Sequence, residues 1–394
     1  MSSPAAPGAA GASAPSSQPV LPDEILGEIF LRLDSAADLA RASAACSAFL
    51  RVVRFLRRNR PLYRPAVVVF LESEGPPHFH HPDPQCSASA ARALAEAADF
   101  TLSSLPDAGS WMIWDASGGR LLLSRPAADA ARFPDLVVCD PLHRRHVRIP
   151  PVPAGLASGS GAIRLAYLTQ TGVEEQVEGS SLVVVWMMMV RFKSKVTALV
   201  FSSATREWRR VDFNSWRLDF AILTACRHHP QRSLCRTSGS FSEVLILDTR
   251  KMEFSVMRVP RVRVCRQQAI VEAGEGGRLS FLTLGDGVLD LYCEAGQGDG
   301  VGAQEWQHER RIPLPGGLSY SYTFSGVGGG YLLLQAVPQD WVEPADHVPH
   351  MPEIHYFTLK LKTLLVERLC VLNKRVSFAH LYANFLPPLS LPSV

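Results

Sequence analysis

His78, His80, His81 and Cys86 fall close together, and these are donor types that ligate zinc. Their spacing fits no standard ligand pair, and Pro82 and Pro84 interleave them as in a rigid surface turn, so no metal is assigned. His228 and His229 are adjacent, and neighbouring side chains on a strand point to opposite faces, which argues against a shared ion. A second set is basic: Arg51, Arg54, Arg57 and Arg58 share one side of a helical pattern that continues to Arg60 and Arg64. No acid interrupts Arg41 to Arg64, whereas Asp23, Glu24, Glu28, Asp34 and Asp38 crowd the stretch before it. Such a row suits phosphate contact, but no aromatic platform accompanies it. The reading is a solvated helix face paired with acids of the later domain, without a nucleic-acid partner. No GxSxG, GxxxxGK[ST] or HExxH motif occurs, and the Gly326 to Gly330 cluster precedes no helical pattern, so it is not a dinucleotide loop. No catalytic residue and no cofactor are assigned.

The elements that must carry these residues fall into two kinds. Residues 1–19 are almost all Ala, Pro, Ser and Gly, the composition of a disordered leader. A helix then opens at Pro22, with Asp23 and Glu24 complementing its dipole and Ile25, Leu26, Ile29, Phe30 and Leu33 at helical spacing. Ser35 and Asp38 read as a capping box for a short second helix carrying Leu39. A third helix sets Cys46, Phe49, Leu50, Val53 and Leu56 opposite the arginines. Three helices in about 35 residues are too small to stand alone, so part of their apolar surface is expected to meet a partner.

From Arg64 the pattern becomes strand-like. Gly118-Gly119-Arg120-Leu121, Gly276-Gly277-Arg278-Leu279 and Gly329-Gly330-Tyr331-Leu332 each open an apolar strand. Arg148-Ile149-Pro150, Arg258-Val259-Pro260 and Arg311-Ile312-Pro313 each close one, and Arg210-Val211-Asp212 echoes them. A period of roughly 50 to 60 residues suits four-stranded propeller blades with enlarged loops. The expected fold is an all-α three-helix segment followed by an all-β propeller, kelch-like, of about six blades. One blade is expected to be composite, built from Ala66–Leu71, Thr101–Leu105 and Val376–Phe385, closing the ring. The boundaries are 1–19 leader, 20–60 helical unit, 61–110 connector with the first propeller strands, and 111–394 propeller.

Bulk properties narrow the function classes. Of 394 residues, 47% are apolar and 20% charged, and the net charge of +3 provides no strong polyanion steering. The eight cysteines include no CxxC pair, and no basic-then-apolar leader precedes them. They read as reduced thiols of a cytoplasmic or nuclear protein. The longest apolar run, Ser181 to Val190, is about half a bilayer span and reads as a buried strand, with no membrane partner.

Leu21-Pro22-Asp23-Glu24-Ile25-Leu26, Arg32-Leu33, Asp38-Leu39, Arg41, Cys46 and Phe49 together resemble the F-box family. Ala45, Ser47 and Phe49 stand where that family usually has Val, a basic residue and Trp. The resemblance covers about a tenth of the chain. The remainder is similar to the propeller-like associated domains of plant, grass-type F-box proteins through Trp111, Asp115, Gly118–Leu122, Val137–Pro141 and the closing Pro387–Pro392. The resemblance implies a non-catalytic adaptor. Its F-box docks a SKP-type linker protein and through it cullin and RING subunits, and its propeller holds a target protein for ubiquitin transfer. The implied docking residues are Leu21, Pro22, Ile25, Leu26, Ile29, Leu33, Leu39 and Phe49. Target contact is assigned to long loops, with Trp341, His347 and His350 as candidates. The alternatives are that the apolar stripe packs on the propeller, or that the propeller senses a small molecule or glycan.

Overall fold

The computed structural model describes residues 21–31, 42, 45, 46, 48–52, 69–72, 79–80, 98–126, 133–156, 163–170, 182–190, 195–214, 226–227, 234–237, 243–248, 251–260, 267–273, 278–294, 306–328, 330–341, 352–376 and 379–382. Helix α1 spans Asp23–Leu31, its first carbonyl bond running from Leu26 N–H to Pro22 O at 3.0 Å. Residues 48–52 are also helical. The second expected helix lies outside the described residues.

After this the regular elements of the described residues are strands, apart from 3₁₀ turns at Ala108–Ser110 and Gly317–Ser319. Two short strands come first, β1 (Val69–Glu72) and β2 (Phe79–His80). The first four-stranded sheet follows in chain order: β3 (Met112–Ser117), β4 (Arg120–Arg125), β5 (Asp135–Asp140) and β6 (Arg145–Ile149). The second is β7 (Ile163–Gln170), β8 (Leu182–Val190), β9 (Lys195–Ser202) and β10 (Glu207–Phe213). The third is β11 (Cys226–Arg227), β12 (Leu234–Thr237), β13 (Glu243–Asp248) and β14 (Glu253–Arg258). The fourth is β15 (Gln267–Ala273), β16 (Arg278–Leu284), β17 (Val288–Glu294) and β18 (Trp306–Pro313). The fifth is β19 (Tyr320–Gly328), β20 (Tyr331–Pro338), β21 (Ile354–Lys360) and β22 (Leu365–Leu372). The last strand, β23 (Ala379–Tyr382), returns to pair with β1 in a three-stranded sheet ordered β2-β1-β23.

The first strands of the sheets face one another: β3 lies against β7 and β23, β15 against β11 and β19, and β19 against β23. That arrangement is a β-propeller, with meandering antiparallel blades around an axis. Where about six blades were expected, the described residues give fewer full ones. Four sheets have strands of five to nine residues. The third has inner strands of only two and four residues, and the closing sheet has three strands. Nothing in this topology singles out a kelch-type repeat.

The composite sheet differs in its parts from the expectation. Both chain ends contribute, with Val69 opposite Tyr382 and Glu72 opposite Ala379. Thr101–Leu105, however, forms turns, and its place is taken by β2 inside the Pro- and His-rich stretch. The Thr101 and Ser103 hydroxyls donate to the Asp99 carboxylate at 2.6 and 2.8 Å, local bonds that compete with a strand ladder. Leu102 and Leu105 are buried there beside Trp111 and Tyr382.

Middle strands are buried on both faces, which explains their unbroken apolar runs. In β8, Val184, Trp186 and Met188 join Leu122 and Val138 of the first blade, while Val183, Val185 and Met187 join Leu245 and Leu247 of the third. Within the Ser181–Val190 run, Leu182–Val190 is a strand and its side chains from Leu182 to Met188 lie in the core. No described helix is long and apolar enough to cross a membrane.

Candidate functional site

Alternation along α1 creates the site. Leu26 and Phe30 are each 3% exposed, whereas Leu21, Ile25 and Ile29 are 45, 47 and 43% exposed. Residues four apart share a helical face, so these three form one apolar stripe, with the exposed Pro22 beside it. Phe30 turns inward and meets Phe49 edge-to-face at 5.2 Å between ring centroids, tying α1 to the later helical residues. On the outer side, Arg51 holds Asp23 with both ends of its fork, Nε to Oδ2 at 3.0 Å and Nη2 to Oδ1 at 2.8 Å. That bond holds the Asp23 carboxyl below its ordinary range.

Leu21, Pro22, Ile25 and Ile29 are thus brought together on an open face. Leu26 is not with them: it packs inward, because the residue next to Ile25 on a helix lies about 100° away. Phe49 is half-buried against Phe30. Leu33 and Leu39 lie outside the described residues. Among the described residues Leu21, Ile25 and Ile29 keep nearly half of their surface open. Arg51 pairs within the helical unit through Asp23, a partner 28 residues away that carried no local sequence signal, while Arg54, Arg57 and Arg58 lie outside the described residues.

On the propeller, Trp341 follows β20 and is partly buried, with the Arg375 guanidinium 5.0 Å from its ring centroid. The segment carrying Arg375 is held from below. The Tyr356 hydroxyl lies 3.0 Å from the Lys374 carbonyl and 3.0 Å from Gln335 Oε1, and Val376 N–H donates to that same Oε1 at 3.1 Å. Arg375 was not singled out from sequence, since only the fold sets it against residue 341. His347 and His350 lie outside the described residues, as do His78, His81 and Cys86. Among the described residues no three His, Cys, Asp or Glu side chains group as metal ligands.

With the geometry in hand, residues 19–60 match the model of the F-box-like family. No curated protein matches the chain. Among solved structures, the chain is 11% identical to Porphyromonas gingivalis dipeptidyl peptidase 4, covering 68% of this chain and 40% of that one, with a TM-score of 0.30. It is also 11% identical to a putative 6-phosphogluconolactonase from Bacteroides uniformis, covering 66% and 70%, with a TM-score of 0.35. The β-propeller domain of the Trilobed protease from Pyrococcus furiosus is 11% identical over 66% of this chain and 71% of that one, with a TM-score of 0.31. The chain spans less than half the length of the first of these. It combines an F-box-like segment at residues 19–60 with a β-propeller.

Proposed function

We propose that this protein is a substrate-recognition adaptor of a SKP–cullin–F-box ubiquitin ligase of plant type, acting in the cytoplasm or nucleus. Leu21, Pro22, Ile25 and Ile29 dock a SKP-type linker protein, which brings cullin and RING subunits. The propeller holds the target, with Trp341, His347 and His350 among the contacts, and the protein itself performs no chemistry. The observation carrying this reading is the open stripe on α1: three large aliphatic side chains remain nearly half exposed while their neighbours are buried.

The experiment is co-purification of the full chain with a SKP-type subunit, before and after Ile25→Asp with Ile29→Asp. Each aliphatic side chain is worth about 1.5 kcal/mol or more when buried at a contact, so the double variant should bind at least ~100-fold more weakly. Both side chains are already exposed, so the melting profile should be unchanged. Failure of the unaltered chain to bind any SKP-type subunit would sink the reading.

A further inference from the structure

Arg375 is exposed in the segment between β22 and β23, and its guanidinium carbon lies over the Trp341 ring, 5.0 Å from the centroid. A ring meets the face of a guanidinium, whereas the N–H donors lie in its plane and form the fork that matches a carboxylate or phosphate. Arg51, Arg125, Arg210, Arg278 and Arg311 each direct their donors to an Asp or Glu. Arg375 has no such partner among the described residues, although Asp340 and Glu353 are exposed at the same end of the fifth blade. Its place is fixed from beneath. Trp341 packs on the buried cluster that includes Tyr356 and Val376. The residues on either side of Arg375 are held by buried polar groups: the Tyr356 hydroxyl lies 3.0 Å from the Lys374 carbonyl, and Gln335 Oε1 accepts the Val376 N–H at 3.1 Å. At the same end stands Leu318, which is 67% exposed, more than any other large apolar side chain among the described residues. A 3₁₀ turn presents it, closed by the Ser319 N–H donating to Gly316 O at 3.0 Å. The turn is tied to the Trp341 segment by the Gln339 N–H, which donates to Ser319 O at 2.9 Å.

We infer that the Arg375 fork, backed by Trp341 and with Leu318 on the adjoining turn, reads one oxyanion-bearing side chain beside an apolar residue in a peptide segment of the target. The oxyanion is a carboxylate or a phosphorylated hydroxyl. This rests on the reading of the propeller as the target-holding domain. The oxyanion accepts paired N–H bonds from Arg375, which the Trp341 ring and the pinned backbone hold in one place before the peptide arrives, so little freedom is lost on binding. The neighbouring apolar side chain covers Leu318. Asp340 and Glu353 repel further negative charge at this end, which limits the site to a single oxyanion and excludes a run of acids. An Arg and a Trp held on a buried base, beside an open aliphatic side chain, are the residue types that dominate binding energy at protein contacts.

Fluorescein-labelled peptides Ala-Leu-X-Leu-Ala, in which X is Glu, phosphoserine or Gln, are titrated with the full chain and followed by polarisation. The Glu or the phosphoserine peptide should bind about tenfold tighter than the Gln peptide, and the tighter of the two identifies the source of the oxyanion. Arg375→Gln should erase that preference, and Arg375→Lys should keep part of it, because the charge remains and the fork is lost. Arg375 is exposed, so neither change should move the melting profile. Leu318→Ser should weaken all three peptides alike, by about fivefold, since it removes apolar cover and no charge. Ile25→Asp with Ile29→Asp should leave every titration unchanged, so failure of SKP docking and failure of this site are separate results. Equal or undetectable binding of the three peptides, or an oxyanion preference that survives Arg375→Gln, would overturn the inference.

Discussion

Four turns place a non-glycine residue at the same strained position. Arg144, Arg206, Met252 and Leu364 each immediately precede the outermost strand of a blade, with φ of 52, 57, 57 and 59°. The conformation is enforced by the turn: Arg206 N–H donates to Ser202 O at 2.8 Å and Leu364 N–H to Lys360 O at 2.7 Å. In two turns a carboxylate also caps, Asp140 to His143 N–H at 3.2 Å and Asp248 to Lys251 N–H at 2.9 Å. A side chain in this region costs about 1–2 kcal/mol, and glycine returns part of that as unfolded-state entropy. Arg206→Gly should therefore raise stability by about 0.5–1 kcal/mol, read as a higher urea midpoint with unchanged slope. On α1 the contrast between neighbours is larger. Leu26→Ala removes a buried side chain and should cost about 2–5 kcal/mol, enough to release hydrogen-exchange protection of the α1 amides. Ile25→Ala should leave those amides protected. The Asp23–Arg51 pair adds a pH signature. Because the bond lowers the folded-state pKa of Asp23, its contribution is present above the ordinary carboxylate range and lost as pH falls through the lowered value.

Most of the elements were legible because blade repeats place the same chemistry at the same strand. The Gly-Gly marks at 118–119, 276–277 and 329–330 each precede the second strand of a blade, and Arg148–Pro150, Arg258–Pro260 and Arg311–Pro313 end the fourth. What could not be read was which residues join across blades. Trp208 Nε1 donates to Pro150 O at 2.8 Å and Trp306 Nε1 to Arg258 O at 2.8 Å. In both, an outer-strand tryptophan clasps the closing mark of the preceding blade. Their separations of 58 and 48 residues carry no local pattern. Trp208→Phe keeps most of the packing and loses that bond, so a loss of about 1 kcal/mol is expected in chemical denaturation. Gly326 sits inside β19, where a Cβ would run into the Ala379 carbonyl oxygen of β23. Gly328 repeats the approach, its Cβ position 3.0 Å from Leu381 O. Gly326→Ala must push these backbones apart; Gly330→Ala meets no neighbour and strains only its φ of 81°. The first should lower Tm more than the second.

For the molecule as a whole, the weight of the fold rests on its last short strand. β23 has only four residues, yet it faces β19 on one side and β3 on the other, and supplies the inner edge for β1. Its side chains lock both seams. The Tyr382 hydroxyl donates to Gly119 O at 2.8 Å, and its ring meets Phe100 edge-to-face at 5.0 Å. Ala379 and Leu381 enter the core with Leu333 and Tyr356 of the fifth blade. Nearby, the buried Asp115 carboxylate reaches from β3 to accept the Leu168 N–H of β7 at 2.7 Å, continuing the ring to the second blade. A ring closed by non-covalent pairing of its two ends has no blade that can be lost without opening an edge. Ending the chain after Phe378, which removes β23 with the residues that follow it, should therefore do more than subtract the burial of four strand residues. It should expose β1, β3 and β19 together, drop the melting temperature, and divide a single cooperative transition into blade-wise steps. Tyr382→Phe, which removes only the hydroxyl, should cost about 1–3 kcal/mol by leaving the Gly119 carbonyl without its donor, while the transition stays single. Calorimetry on the two variants separates the cases. A truncated chain that still melted in one step at the original temperature would mean the ring is held by its blade interfaces and not by the closure of its ends.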